Sequence, residues 1–235
     1  MYFQGPVWRK VSQQIIKVLN QLPELKNSRI IFAFSGGQDS VFLLAALRQI
    51  SKKYRYEIFP LHIEHNILKE DKTYSQLAQE FAWDFGYECS IISSKMCPRG
   101  RNLEDWMRNE RYRLLKQYQR KQKASFIMVA HHASDQAETV LAHIIRGTGL
   151  KGLKGMLPIR EQIVRPLLMV RKSDIENLMQ SAKLPYYEDK LNYSKKYQRN
   201  KIRHDLIPYL EKEFNPKITE KLAKLAENVQ KESNN

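Results

Sequence analysis

Ser35-Gly36-Gly37-Gln38-Asp39-Ser40 lies between two apolar runs, Arg29-Ile30-Ile31-Phe32-Ala33-Phe34 before it and Val41-Phe42-Leu43-Leu44-Ala45-Ala46-Leu47 after it. The pattern predicts a strand, a tight turn and the first turn of a helix. Glycine lets the backbone approach a ligand closely, and the helix start supplies unpaired N–H groups and the positive end of a dipole, so this is an anion site. The hydroxyls of Ser35 and Ser40 add donors, and Asp39 is a carboxylate suited to a magnesium ion already carried by phosphate oxygens. No Gly-Lys-Ser/Thr ending and no lysine occur in the loop, which excludes a Walker A reading. A bare Gly-Gly turn capped by serines is the alternative.

Outward from this loop, 235 residues suffice for a sizeable core. A formal net charge of +15 points to a polyanionic partner, nucleic acid before membrane surface, with a lysine-rich solvated surface as the plain alternative. Cys89 and Cys97 form no Cys-x-x-Cys pair or zinc set, so reduced, cytoplasmic thiols are expected. No apolar stretch has the length of a membrane span. Met1-Tyr2-Phe3-Gln4-Gly5 looks like the remainder of a cleavable tag, and residues 1–6 are set outside the fold.

A helix is expected from Val7 to Leu22, stopped by Pro23, and strands at Glu57 to Ile63, Glu88 to Ile92, Phe126 to Ala130 and Gln162 to Arg165. Helices alternate with them from Asp39, Asp71 and Asn102 and after Ser134. Such alternation predicts an α/β parallel sheet with helices on both faces over 7–170, followed by a helical extension over 171–235. The polar residues after the first, second and fourth strands would then share one sheet edge.

At that edge Asp135 and Glu138 stand three apart on a helix start. Two carboxylates beside a phosphate site need a cationic partner, such as an ammonium group or magnesium; a helix cap and a dipole partner are the structural alternatives. His131 and His132 end a buried strand, where a histidine is commonly a satisfied core residue, although a pair at the ligand edge favours contact with a ligand. Arg108 and Arg111 suit neutralisation of a phosphate as its leaving group departs, or a salt-bridged surface helix. Tyr193, Lys195, Lys196, Tyr197, Arg199, Lys201 and Arg203 interleave aromatics with cations, as a surface gripping and stacking on RNA requires.

Six segments, in one order from about residue 28 to about 217, carry a family resemblance. They are the Ser-Gly-Gly-x-Asp-Ser loop; Asn102-Leu103-Glu104 with Arg108-x-x-Arg111-Tyr112; His131-His132-x-x-Asp135-Gln136-Ala137-Glu138-Thr139; Arg146-Gly147-Thr148-Gly149-Leu150-x-Gly152-Leu153; Arg165-Pro166-Leu167-Leu168; and Arg199-Asn200-Lys201-Ile202-Arg203. The whole resembles the tRNA(Ile)-lysidine synthases of the PP-loop ATP pyrophosphatase family.

The resemblance implies a doubly wound, Rossmann-like parallel sheet of five strands in the order three-two-one-four-five. It also implies a ligase that uses ATP to adenylate the 2-carbonyl of the wobble cytidine of a tRNA(Ile) with a CAU anticodon. The amine of free L-lysine then displaces AMP. By the same resemblance, Ser35, Gly36, Gly37, Gln38, Asp39 and Ser40 bind the nucleotide and Asp39 the Mg2+. Asp135 and Glu138 receive the lysine, Arg111 and Arg203 stabilise the adenylate, and His131 touches the reacting centre. Leu68 and Ser134 depart from the family pattern, which has arginine and aspartate there. The sequence is compatible with a homodimer and with a cytoplasmic or plastid-stromal location. Rival readings are a thiolating PP-loop enzyme, which calls for a cysteine pair or an iron–sulfur cluster at a spacing that Cys89 and Cys97 do not supply, and a non-catalytic RNA-binding module.

Overall fold

The computed structural model describes residues 2–22, 24–67, 70–188 and 198–233. Pro23, Leu68, Lys69 and the Tyr193 to Tyr197 part of the basic stretch lie outside the described residues. The order is α1 (Gly5–Leu19), β1 (Arg29–Ala33), α2 (Gln38–Tyr54), β2 (Glu57–Glu64), α3 (Asp71–Asp84), β3 (Ser90–Ser93), α4 (Leu103–Gln122), β4 (Phe126–Met128), α5 (Ala133–Ile145) and α6 (Leu150–Leu153). Then come β5 (Ile159–Arg160), β6 (Ile163–Val164), α7 (Lys172–Ala182), α8 (Gln198–Lys201), a π-helical turn (Ile202–Leu206), α9 (Ile207–Glu213) and α10 (Ile218–Glu232).

The strands lie in the order β3-β2-β1-β4-β6-β5. Five are parallel in the order expected, β6 standing where the fifth strand was predicted. The expected count is corrected by β5, which pairs antiparallel with β6 at the edge. With only two residues, β5 has no hydrophobic alternation to betray it in sequence. Pro60 sits inside β2 without breaking the sheet: it faces Phe32 of β1, and the ladder to β3 begins one residue later at Leu61.

Alternation along β1 sends its side chains to two cores. Ile30 and Phe32 join the cluster under α1, α2 and α7, and Ile31 joins the opposite one with Leu61, Leu115 and Ile127. In α2, Val41 through Leu47 are all inaccessible, because this helix is covered on every side rather than along one stripe. Of the residues set outside the fold, Tyr2 and Phe3 are packed into it. Phe3 is 2% exposed, and its ring lies 4.9 Å from that of Phe42. The N–H groups of Tyr2 and Phe3 both donate to Gln49 Oε1.

The helical extension closes on the sheet in two places. Ile175 and Leu178 of α7 enter the core of α2. Ile202, Ile207, Leu222 and Ala226 form a third cluster with Ala137, Val140 and Leu141 of α5. Within the extension the π-helical turn Ile202–Leu206 separates α8 from α9, directly beside the site residues.

Candidate active site

The turn after β1 has the conformation that its glycines allow. Gly36 takes φ +79°, and a Cβ there would stand 2.4 Å from Tyr187 Cε1. Glycine is therefore required twice, for the left-handed backbone and for the approaching ring. Gly37 is the N-cap of α2, Ser35 Oγ lies 3.1 Å from Ser40 Oγ, and Asp39 occupies the first helical turn. Tyr187 covers this cradle: its N–H donates to the Gly36 carbonyl, its hydroxyl donates to the Ser35 carbonyl, and its ring stacks 4.5 Å from that of Tyr74.

Asp39 is held by two side chains from other parts of the chain. Lys172 Nζ lies 2.6 Å from Oδ1, and His132 Nε2 lies 3.5 Å from Oδ2. Burial works to raise the Asp39 pKa, but the hydrogen bond and charge of His132, with Lys172, overcome it and keep the carboxyl below its ordinary value.

After β4, His132 caps α5 through its ring: Nδ1 accepts from the Ser134 N–H at 3.2 Å, while Asp135 Oδ2 accepts from the His132 N–H at 2.9 Å. This is a capping box with imidazole as the cap. Because Nδ1 accepts, the neutral ring carries its proton on Nε2, 3.5 Å from both Asp39 and Asp135. Burial opposes charge on His132, but Asp135 and Asp39 outweigh it and raise its pKa. Asp135 is thus a structural cap partner and a member of the charged site at once.

The cationic partners of the acid pair are arginines of the extension. Arg199 and Arg203 donate five hydrogen bonds of 2.5 to 3.1 Å to Asp135 and Glu138. Four apart and flanking the start of the π-helical turn, they present parallel forks to the two carboxylates. Glu138 is 1% exposed. The Asp135 pKa is driven down despite burial by His132, Arg199 and the other cations around it, and both arginines are held above their ordinary values against the burial that opposes them. Arg203, expected at the adenylate, therefore lies against the acid pair.

His131 is different. Burial, reinforced by Arg165, Arg199 and Arg108, lowers its pKa to about 3 in spite of Asp135, so its ring is neutral, and Nδ1 is buried with no hydrogen-bond partner. His65 Nδ1 is likewise buried without a hydrogen-bond partner, whereas Arg165 and the Tyr112 hydroxyl act on one another. Buried polar groups are ordinarily paired, so the two histidine nitrogens are positions for a polar ligand. Arg111 lies on the exposed side of α4, where its charge, after burial itself, keeps the His65 pKa low, at about 4; Arg108 sits 5.9 Å over the Tyr112 ring. Lys172, Tyr187 and Arg165 were not singled out as site residues. Only Arg165 lay inside a recognised segment.

A glycine cradle at a helix start, joined to a buried acid pair at the C-terminal edge of a parallel sheet, defines a nucleotide-binding protein of PP-loop type, and the chain belongs to that family, whose PP-loop domain matches residues 8–210. It is similar to the tRNA(Ile)-lysidine synthase of Clostridioides difficile, 37% identical over 215 residues, which are 88% of this chain and 46% of that protein. The lysidine synthase of Thermotoga maritima is 36% identical over 204 residues, 85% of this chain and 49% of that protein. The chain thus spans about half the length of these curated relatives. Among solved structures, the U34-tRNA thiolase NcsA of Methanococcus maripaludis, with its 4Fe-4S cluster, superposes with a TM-score of 0.80 at 18% identity, over 96% of this chain and 79% of that one. That likeness is one of fold. No group of three or more His, Cys, Asp or Glu residues arranged for a metal occurs among the described residues, and buried Cys89 has its thiol pKa pushed up to about 12 by burial.

Proposed function

We propose that this chain carries the catalytic site of a tRNA(Ile)-lysidine synthase. The observation that carries the reading is the meeting, at one sheet edge, of the Ser35 to Ser40 cradle with the buried pair Asp135 and Glu138, linked through His132. The positive φ at Gly36, the start of α2 and the partly exposed Asp39 carboxylate suit a Mg2+-bound triphosphate. In this scheme the cradle grips the pyrophosphate end of ATP, and Asp39 holds the magnesium, which supplies charge neutralisation. The 2-carbonyl oxygen of the wobble cytidine bonds to the α-phosphorus and pyrophosphate leaves. The lysine amine then attacks C2, and AMP departs with the oxygen.

The acid pair receives the lysine ammonium or takes the proton that the amine loses as it attacks, with Arg199 and Arg203 balancing the charge of the pair beforehand. His131 Nδ1, neutral and unpaired, is placed to accept a hydrogen bond from the reacting base. Arg111 and Arg108 face the developing phosphate charge. A tRNA(Ile) with a CAU anticodon fits the net charge of +15, and the cytoplasm is the corresponding location.

The test is incubation with that tRNA, labelled lysine and Mg-ATP. Lysine incorporation and tRNA-dependent pyrophosphate release are expected, and both are lost in Asp39→Asn. Intact tRNA binding with neither product would overturn the reading in favour of an RNA-binding module.

A further inference from the structure

Lys172 opens α7, and its ammonium reaches Asp39 from 133 residues further along the chain. It lies beside a phosphate cradle whose own sequence holds no cation. Its neighbour Arg171 pairs instead with Glu220 on α10, so of the two adjacent cations Lys172 is the one directed at the loop. The Lys172 side chain and that of Asp39 are each 31% exposed, which leaves both accessible to a ligand.

We propose that Lys172 is the pyrophosphate-binding cation of this site, doing from α7 what a loop lysine does in a Walker A site. The inference rests on the reading that the cradle takes a triphosphate, but not on the identity of the acceptor or of the amine. A divalent ion on Asp39 and the Lys172 ammonium compete for the same carboxylate. With a metal-bound nucleotide in the cradle, Asp39 would hold the metal, and the released ammonium would be free to pair with the pyrophosphate end of the nucleotide. An ammonium left in that position without an anion would be unpaired, so the exchange is favourable only with the polyphosphate present. In adenylyl transfer the acceptor oxygen bonds to the α-phosphorus, and the α–β bridging P–O bond breaks. Its electron pair stays on the bridging oxygen, which becomes a terminal oxygen of pyrophosphate next to Lys172.

Isothermal titration with inorganic pyrophosphate and, separately, AMP tests this without tRNA or lysine. Lys172→Met, with a thermal midpoint near that of the parent, should bind pyrophosphate at least about tenfold more weakly, while AMP affinity stays within about twofold. Lys172→Arg should recover most of the loss. In an Asp39→Asn background, Lys172→Met should still weaken metal-free pyrophosphate binding, which a lysine that only holds Asp39 in place would not do. Unchanged pyrophosphate binding in Lys172→Met, equal losses of both ligands, or no further loss in the Asp39→Asn background would each overturn the inference. A chain that passes this test yet makes no lysidine would sink only the functional reading. One that makes lysidine while Lys172→Met binds pyrophosphate normally would sink only this inference.

Discussion

Gly36 and Gly37 build their site from main chain within a few residues, whereas Asp135 and Glu138 build theirs from side chains held by arginines 61 to 68 positions away. The first tolerates little change of backbone, and Tyr187 and Lys172 reach it only from outside the loop. The second depends on four charges being present together, because each would be costly alone in a site where Glu138 is 1% exposed. A glycine cradle can therefore be local, while a buried cluster of opposed charges has to be assembled from distant parts.

The largest effect should come from dismantling the assembled site. Glu138→Ala removes three of the five hydrogen bonds that hold the two arginines and leaves both on Asp135 alone, and it is expected to cost about 3 kcal/mol of stability, read from urea unfolding. Glu138→Gln should keep most of the packing and lose lysine transfer while pyrophosphate release persists. Equal loss of both steps would mean that the two regions do not divide the chemistry.

A smaller cost is expected at the cradle. Gly36→Ala places a Cβ in left-handed backbone, about 1–2 kcal/mol, and against Tyr187 besides. Adding Tyr187→Ala should restore the part due to the ring and none of the part due to φ. Full recovery in the double variant would show that backbone conformation contributes nothing there.

The last effect is a pH dependence. The folded His131 pKa of about 3 lies below that of the unfolded chain, so below about pH 6.5 the unfolded state binds the proton first and stability falls as pH drops toward the folded value. His132, with its raised pKa, works in the opposite sense: its contribution is fully present below about pH 6.5 and fades as pH rises through the folded value. His131→Asn should flatten the loss of stability between about pH 6.5 and 4, measured by denaturation at stepped pH. An unaltered slope would show that His131 is not the group responsible.

Most of the sheet was legible because its signals are local. The run into Phe32, the turn at Gly36 and the apolar helix after it announce themselves over a few residues, and β1 to β4 follow the same alternation. The two-residue β5 and the π-helical turn have no period to read. At the site, Asp39, His131, Asp135 and Glu138 could be nominated by type and spacing. Their partners could not, since the pairing of Asp135 and Glu138 with Arg199 and Arg203, and of Asp39 with Lys172, is fixed by how α7 and the extension pack on α5 and α2. Phe3 illustrates the same limit: an N-terminal residue that reads as dispensable is core because α2 offers it Phe42.

His132 caps α5 with one ring nitrogen and faces two carboxylates with the other. Starting the helix and tuning the charge of the site are thereby vested in a single imidazole. Substitutions that preserve the cap, such as serine or asparagine, discard the Nε2 donor that faces the carboxylates, and a lysine or arginine, which has no acceptor, discards the cap. Few intermediates lead away from this residue, and a lineage drifting toward another chemistry would have to rebuild the beginning of α5 at the same time.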